Sequence, residues 1–222
     1  MITFAQLKHL KNDIFQKCHK EIAEHHKKVG YFYDWSRQWE YPWILKNVPF
    51  KKKNVVLDAG GGTCHFPALV AKRVNKVYVG EMYNERVWKD DAKNVEYKNI
   101  DISTDIKSKD KYDIVICISV LEHVENRLIT IKNLMNFVKP GGHLAMTIDL
   151  FLDNSRSCKE EEIPNIIKLL SKDFEVGKID LNKNDLYQKS TLQEMKLDLP
   201  NLYSNNYKNR TSLGIIVKKN GK

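Results

Sequence analysis

The sequence predicts an α/β fold built on a mostly parallel sheet with crossover helices. From Asn54 onward, apolar runs of strand length alternate with segments of helical periodicity, which is typical of parallel strands joined by helices. A glycine-rich turn, Gly60–Gly62, follows the first of these runs, as expected where a parallel strand meets a ligand. Pro140–Gly142 ends a helical segment immediately before another apolar run. A chain of 222 residues is long enough for one sizeable core of this kind.

Residues 1–50 are predicted to form an N-terminal helical and aromatic cap, and residues 51–222 the main domain. Apolar residues recur every three or four positions from Phe4 to Ile22, which predicts an amphipathic helix over about residues 3–28. Residues 31–43 then carry aromatic side chains too densely for a simple periodicity. Core packing explains such a run, and so does a lid over a ligand, so both interpretations remain open.

The main domain divides into strand and helix patterns in alternation. Strands are predicted at residues 54–58, 76–80, 95–98, 112–118, 143–149, 174–181 and 213–218. Helices are predicted at residues 65–74, 84–90, 125–138 and 162–171.

The composition indicates a basic chain. The formal net charge is +9, from 37 Lys and Arg residues against 28 Asp and Glu residues. The lysines are spread over almost every segment, with one dense run at Lys51–Lys53. A solvated surface explains dispersed charge, although the same excess would attract an anionic small molecule or a nucleic acid.

The chain is expected to be soluble and cytoplasmic. No segment approaches the roughly 20 apolar residues that span a bilayer, and lysines interrupt the N-terminus where a signal peptide would be apolar. The four cysteines are far apart and form no CxxC pair, which predicts reduced thiols and neither a zinc site nor a redox dithiol.

The segment Val55–Thr63 is typical of a nucleotide-cofactor site, because an apolar run ends at Asp58 and gives way to three glycines. More than one class of cofactor uses such a turn. The dinucleotide fingerprint also needs a third glycine for close helix packing, and that position holds His65. This mismatch argues against a nicotinamide or flavin nucleotide.

Two further blocks accompany this turn. The apolar run Ile114–Ile118 is followed by Ser119–Val124, and the later segment Val138–Leu144 contains the Pro-Gly-Gly sequence. With the three blocks in this order and spacing, the chain resembles the class I S-adenosylmethionine-dependent methyltransferases over about residues 54–150. The resemblance implies a Rossmann-like, doubly wound sheet of seven strands with an antiparallel last strand. It also implies methyltransferase activity with S-adenosylmethionine as the cofactor.

The resemblance implies roles for the residues at the first two strand ends. Gly60 and Gly62 would let the backbone approach the methionine part of the cofactor, while Asp58 would hold its amino group or a water. Glu81 would accept hydrogen bonds from both ribose hydroxyls, a task suited to a carboxylate with two oxygens. Met82 beside it would pack on the adenine face.

Later positions complete the implied cofactor site. Asp101 would accept a hydrogen bond from the adenine amino group and Ile102 would donate its amide, although capping a turn is the alternative for Asp101. Ser119 and Val120 would line the wall under the sulfonium. Cys64 departs from the family, which often has glycine there, so the following helix is expected to start differently.

The lid interpretation of the aromatic segment adds two more residues to this site. In it, Arg37 and Tyr41 reach the carboxylate of the cofactor, and neighbouring tryptophans shape the acceptor pocket.

The candidate catalytic residues are His123 and Asp149, which is predicted at the end of the fifth strand. An oxygen acceptor benefits from a general base within hydrogen-bond reach, whereas an amine has only to arrive deprotonated. His123 also fits a structural residue at a helix start, or a metal ligand together with Glu122 and Glu125. These alternatives remain open, and no metal is expected from the spacing of the other histidines.

The acceptor is expected to be a small molecule. Enzymes that methylate base amines or protein glutamine carry Asn or Asp, two prolines and an aromatic residue after the fourth strand, and this chain has Ser119–Glu122 there. The basic composition suits an anionic acceptor such as a nucleotide-linked sugar or a surface-polysaccharide precursor. An RNA methyltransferase and a non-catalytic binding protein that retains the fold are the alternatives. The oligomeric state is not predicted.

Overall fold

The structure is a computed structural model that describes residues 1–30, 36–62, 64–82, 92–104, 109, 111–151, 158–187 and 210–221. The helix predicted at residues 84–90 lies outside the described residues, as do residues 31–35 of the aromatic segment. The predicted α/β class with a mostly parallel, Rossmann-like sheet is confirmed.

One sheet organises the described part of the chain. Its strands are β1 (Ile2–Phe4), β2 (Val55–Ala59), β3 (Lys76–Glu81), β4 (Val95–Asn99), β5 (Tyr112–Ile118), β6 (Val138–Phe151), β7 (Phe174–Glu175), β8 (Ile179–Asp180) and β9 (Arg210–Lys219). The strand order is β4-β3-β2-β5-β6-β9-β1-β8, and β7 pairs with β9. Strands β2 to β6 are mutually parallel, whereas β9 runs antiparallel to β6 as predicted for the last strand.

Six α-helices accompany the strands in the described residues. They are α1 (Leu7–Leu10), α2 (Asp13–Val29), α3 (Arg37–Asn47), α4 (Phe66–Ala71), α5 (Arg127–Phe137) and α6 (Ile163–Leu170). Short 3-10 turns lie at Leu121–His123 and Glu160–Glu162. Among the described residues, no helix combines the length and apolar character needed to cross a membrane.

The N-terminus differs from the predicted single helix because its first residues form strand β1. Ile2 and Phe4 are both fully buried and pair antiparallel with Ile215 and Leu213 of β9. The long helix α2 begins only after Asn12, whose side chain accepts from the backbone amide of a first-turn residue, as an N-cap does. Strand β1, although within residues 1–50, thus belongs to the same sheet as the described strands of the predicted main domain.

Two C-terminal strand predictions also need correction. The strand predicted at residues 143–149 is longer, because β6 runs from Val138 to Phe151 and contains Pro140–Gly142. Gly141 lies there with a φ of 73°, and the register between β5 and β6 shifts at the start of the pairing. The strand predicted at residues 174–181 consists of the two short strands β7 and β8. Together with β1, this division brings the described sheet to nine strands instead of seven.

Helix α3 is packed against the sheet as part of the core. Trp39 and Trp43 stack with their ring centroids 5.1 Å apart and are 0% and 1% exposed. They lie on Gly214 of β9, where an added Cβ would be 2.6 Å from Trp43 Cη2 and 2.9 Å from Trp39 Cη2. The missing side chain at Gly214 therefore lets α3 approach the sheet closely.

Candidate functional site

Two cavities meet at the carboxyl ends of the parallel strands. The larger cavity, of about 400 Å³, is bordered by Glu81, Met82, Asp101, Ile102, Val120 and His123. The smaller cavity, of about 370 Å³, is bordered by Arg37, Tyr41, Asp58, Gly62, Ser119 and His123. Gly60 also borders both. The structure thus brings all ten predicted cofactor-binding residues and His123 to one edge of the sheet, as expected for strands that run in parallel.

The glycine turn forms the divide between the two cavities. Gly60 has a φ of 73° and its amide donates to the Gly80 carbonyl at 2.7 Å, which holds the turn against the end of β3. A Cβ at Gly60 would lie 2.7 Å from Val120 Cγ2. Gly62 also has a positive φ, of 56°. The turn therefore needs glycine both for its backbone conformation and for the close approach of Val120.

Glu81 at the end of β3 holds the glycine turn from the other side. Its Oε2 accepts from the Gly62 amide at 3.1 Å, and its Oε1 accepts from the Met82 amide at 2.9 Å. An ionised carboxylate has about four acceptor positions, so these two bonds leave capacity for hydroxyls in the larger cavity. Met82 is 43% exposed beside it.

Asp101 caps a turn at the border of the larger cavity. Its Oδ1 accepts from the Ser103 amide at 2.9 Å and from the Ser103 hydroxyl at 2.6 Å, so it does cap a turn. It also borders the larger cavity. Ile102 is 6% exposed, and its carbonyl accepts from Asn133 Nδ2 at 3.0 Å, which fixes the backbone of this wall.

Asp58 is a buried carboxylate on the smaller cavity. The side chain follows the apolar part of β2, and the residue is 3% exposed. Burial raises the pKa of Asp58 to about 7, with Glu81 raising it further and Arg37 opposing the shift. The group therefore changes its charge near neutral pH, where a cation in the cavity would favour the carboxylate.

Helix α3 supplies the cationic side of the smaller cavity. Arg37 Nη1 donates to Glu40 Oε2 at 2.6 Å, and the Arg37 guanidinium carbon lies 6.0 Å from the Tyr41 ring centroid. Burial lowers the Arg37 pKa, but Glu40 and Tyr41 raise it, and the net shift is upward. Tyr41 is 1% exposed and stacks on Phe66 with centroids 4.3 Å apart. The described part of the aromatic segment is thus a helix packed in the core, and its residues Arg37 and Tyr41 border the smaller cavity.

Glu40 was missed by sequence reasoning, although it connects two predicted site residues. It is 0% exposed, and besides Arg37 it accepts a hydrogen bond from the Ser119 hydroxyl, with Ser119 Oγ 2.6 Å from Glu40 Oε1. Ser119 has a φ of 49°, which is rare for a residue other than glycine. An acidic residue one turn after Arg37 in an otherwise aromatic helix was the available signal, because a charge in such a helix needs a buried partner.

His123 lies where the two cavities meet. It ends the 3-10 turn that follows β5, and its side chain is exposed. Partial desolvation lowers the pKa of His123, and Arg210 and Arg37 lower it further, so the imidazole is neutral at neutral pH. The preceding Glu122 is 5% exposed, and burial raises its pKa to about 7. No group of three or more His, Cys, Asp or Glu side chains in the described part of the chain could hold a metal ion.

Asp149 is not brought together with the other predicted site residues. It is 1% exposed, its Oδ1 accepts from Ser212 Oγ at 3.0 Å, and its Oδ2 accepts from Arg210. It borders neither of the two cavities. The predicted position at the end of the strand does not hold because β6 continues to Phe151, so Asp149 pairs with β9 and fixes it in place.

Cys64, which departs from the sequence pattern expected after the glycine turn, makes a hydrogen bond to that turn. Its Sγ donates to the Gly61 carbonyl at 3.0 Å, and α4 begins two residues later at Phe66. Burial raises the pKa of the Cys64 thiol to about 11, and Asp58 contributes to the rise. The thiol is therefore a protonated donor that stabilises the turn.

Comparison with known proteins gives one family. The family model described as a methyltransferase domain matches residues 31–221. No curated protein matches the chain.

Solved structures with this fold are distant in sequence. An S-adenosylmethionine-dependent methyltransferase from Mesorhizobium loti has 12% identity and a TM-score of 0.57, over 81% of this chain and 97% of that chain. A SAM-dependent methyltransferase from Aquifex aeolicus has 18% identity and a TM-score of 0.53, over 81% and 89%. The cyclase SpnF has 14% identity and a TM-score of 0.61, over 82% and 81%. At these identities the similarity is one of fold.

Proposed function

The chain belongs to the methyltransferase-domain family, and from this premise we propose that it transfers the methyl group of S-adenosylmethionine to an oxygen or nitrogen atom of a small molecule. The prediction of an S-adenosylmethionine-dependent methyltransferase is confirmed by the family match. The acceptor and the roles of individual site residues are proposals, supported by the arrangement of the two cavities.

One observation carries the assignment of the donor site: a bare glycine turn separates two cavities of different chemistry. Glu81 and Asp101 give the larger cavity hydrogen-bond acceptors for ribose hydroxyls and an adenine amino group. Asp58 and Arg37 give the smaller cavity one group of each charge, which suits the amino and carboxylate groups of a methionine moiety. The volumes are in the range of small-molecule sites.

The residues therefore fit the cofactor that the family uses. S-adenosylmethionine supplies a methyl group on a sulfonium, which is a good leaving group. The residues of the chain have mainly to align the acceptor with that group and exclude water. Ser119 and Val120 form the wall between the two cavities, where this alignment is proposed to occur.

His123 is the proposed general base for an oxygen acceptor. It borders both cavities, and its lowered pKa leaves a neutral imidazole that can accept a proton. Asp149 is a weaker candidate for this role, because both of its oxygens already accept hydrogen bonds from Arg210 and Ser212. An amine acceptor would need no base if it arrives unprotonated.

A small-molecule acceptor is supported by the Ser119–Glu122 segment, which lacks the Asn/Asp-Pro-Pro-aromatic pattern of enzymes that methylate base amines. A nucleotide-linked sugar or surface-polysaccharide precursor is the proposed class. The net charge of the chain, +9, is the observation that supports a negatively charged acceptor. The described cavity residues include four carboxylates and one arginine, so an anionic group would have to bind away from them.

The test is incubation of the protein with methyl-labelled S-adenosylmethionine and two acceptor pools, fractionated metabolites and RNA. Label in a metabolite fraction supports the proposal, and label in RNA supports the alternative RNA methyltransferase. In the second case RNA binding should also weaken steeply with salt. Binding of S-adenosylhomocysteine without transfer to either pool would favour a non-catalytic binding protein.

A further inference from the structure

Glu40 is the buried link between helix α3 and the loop that follows β5. Its Oε2 accepts from Arg37 Nη1 and its Oε1 from Ser119 Oγ, both at 2.6 Å. Glu40 itself is 0% exposed and borders neither cavity, whereas its two partners border the smaller one. Short hydrogen bonds to an ionised carboxylate are strong and directional, so Glu40 fixes two cavity residues at once.

The bond to Ser119 holds a backbone conformation that is otherwise unfavourable. Ser119 lies in the left-handed region with a φ of 49°, which persists only when its surroundings over-determine it. Its amide donates to the Thr147 carbonyl at 3.1 Å, and its hydroxyl is held by Glu40. The backbone of Ser119 is therefore fixed by β6 and its side chain by α3.

The effect extends from Ser119 to the divide between the cavities. Val120 follows directly and borders the larger cavity, and its Cγ2 is the atom that a Cβ at Gly60 would meet at 2.7 Å. The orientation of Val120 over the glycine turn thus depends on the conformation of Ser119. In this way α3 acts on the smaller cavity through Arg37 and Ser119, and on the larger cavity through Val120, the residue that follows Ser119.

We propose that Glu40 is a positioning residue of the donor site, which holds Arg37 and Ser119 in place so that both cavities are preformed before the cofactor binds. This inference rests on the proposed function, because it treats the two cavities as the site of S-adenosylmethionine. Preorganisation of this kind lowers the conformational cost of binding. The loss of Glu40 should therefore weaken the cofactor site although Glu40 does not contact the cofactor.

The same arrangement predicts an effect on the pH dependence of binding. The charged groups that face Asp58 are Arg37 of α3 and Glu81 of β3. Two thiols also face it, Cys117 of β5 and Cys64 just before α4. In Glu40→Gln the Arg37 charge is no longer compensated by a carboxylate, so it acts more strongly on Asp58. The pH at which Asp58 becomes ionised should then fall, which a purely structural role for Glu40 would not produce.

The experiment measures S-adenosylhomocysteine binding by calorimetry for Glu40→Gln, Glu40→Ala, Ser119→Ala and the double variant Glu40→Ala/Ser119→Ala. Glu40→Ala should weaken binding on the order of tenfold or more, as expected for lost hydrogen bonds to a charged group. Ser119→Ala should add little in the Glu40→Ala background, because the two residues act through one bond. Glu40→Gln keeps an oxygen that can accept from Ser119, so it should bind S-adenosylhomocysteine more tightly than Glu40→Ala. Because Asp58 should ionise at lower pH in this variant, its affinity should begin to rise at lower pH than that of the wild type.

Glu21→Gln is the matched control, because Glu21 also pairs with an arginine, Arg73, but borders neither cavity. It should bind S-adenosylhomocysteine like the wild type. If Glu40→Ala does not fold, Glu40→Gln gives the answer alone. Unchanged affinity and unchanged pH dependence in Glu40→Gln would overturn the inference while leaving the donor site intact. Failure of the wild type to bind S-adenosylhomocysteine would overturn the proposed function as well.

Discussion

The Gly62 amide donates a hydrogen bond to Glu81 Oε2 at 3.1 Å, so the end of β3 and the glycine turn after β2 form one unit. The residue proposed to bind the ribose hydroxyls is thus also the residue that sets the position of the turn. A change at Glu81 should affect both cavities, although Glu81 borders the larger one only.

Glu81→Ala should weaken S-adenosylhomocysteine binding by about 1 to 3 kcal/mol, because hydrogen bonds to a charged acceptor are lost. Calorimetry on the purified protein measures this change. Glu81→Gln should not restore the affinity, since its amide NH₂ would replace one of two oxygens that accept from the Gly62 and Met82 amides. Wild-type affinity in Glu81→Ala would remove Glu81 from the cofactor site.

The affinity for S-adenosylhomocysteine should rise as the pH increases through about 7. Burial raises the pKa of Asp58 to about 7, and the carboxylate form is the one that pairs with the ammonium group of the ligand. Calorimetric titrations between pH 5.5 and 8.5, an interval of about 1.5 units on each side of that value, measure the dependence. Asp58→Asn should bind more weakly and with a flatter profile. An equally steep profile in Asp58→Asn would assign the titration to another group.

The same group has the opposite effect on the stability of the unliganded protein. The folded protein keeps a proton on Asp58 that the unfolded chain releases above its ordinary pKa of 3.8. The contribution of Asp58 to the free energy of unfolding therefore falls as the pH rises from about 4 to about 7. Asp58→Asn removes this contribution, so its stability should fall less steeply than that of the wild type, with Glu122 among the groups that cause the remaining fall. Chemical denaturation of both proteins at several pH values measures the difference.

His123→Ala should lower turnover by about 100-fold or more if the acceptor atom is an oxygen, the range expected for a lost general base. The affinity for S-adenosylhomocysteine should change little. Because the pKa of His123 lies below its ordinary value of 6.5, the rise of wild-type turnover with pH, measured at saturating cofactor, should have its midpoint below pH 6.5. Turnover equal to the wild type would exclude His123 as the base.

Asp149→Asn is the comparison for that variant. Removing the charge leaves Arg210 without its carboxylate partner, so we expect a lower free energy of unfolding. A selective loss of turnover in Asp149→Asn, with unchanged stability, would instead return Asp149 to the list of candidate bases.

The central strands and the strand-end residues were predictable because the physical signal is local. The apolar run of β5 was predicted at residues 112–118 and is observed as Tyr112–Ile118, since a strand buried on both faces needs no alternation. Asp58 and Glu81 were placed together because parallel strands end at the same edge of the sheet.

The remaining features depend on partners that are distant in the sequence. Glu40 meets Ser119 across 79 positions, and no local pattern indicates that bond. Strand β1 was predicted as helix because Phe4, Leu7 and Leu10 have helical spacing, whereas its pairing with β9 joins the two ends of the chain. Asp149 was predicted at the end of a strand, but β6 continues to Phe151 because it pairs with β9. That pairing joins segments about 60 positions apart and leaves no local pattern.

Gly60→Ala should abolish detectable S-adenosylhomocysteine binding, and Gly141→Ala is its matched control. Both glycines have a φ of 73°, so both substitutions carry the same backbone strain, of about 1 to 2 kcal/mol for an L residue. A Cβ at Gly141 would meet nothing within 4 Å, whereas a Cβ at Gly60 would lie 2.7 Å from Val120 Cγ2. Gly141→Ala should therefore lose some stability and keep its affinity. Gly60→Ala should lose affinity beyond any shared loss of stability, because the added Cβ displaces Val120, which borders the larger cavity. Calorimetry and thermal unfolding on both variants separate the two effects, and equal affinities would show that the divide between the cavities does not contact the cofactor.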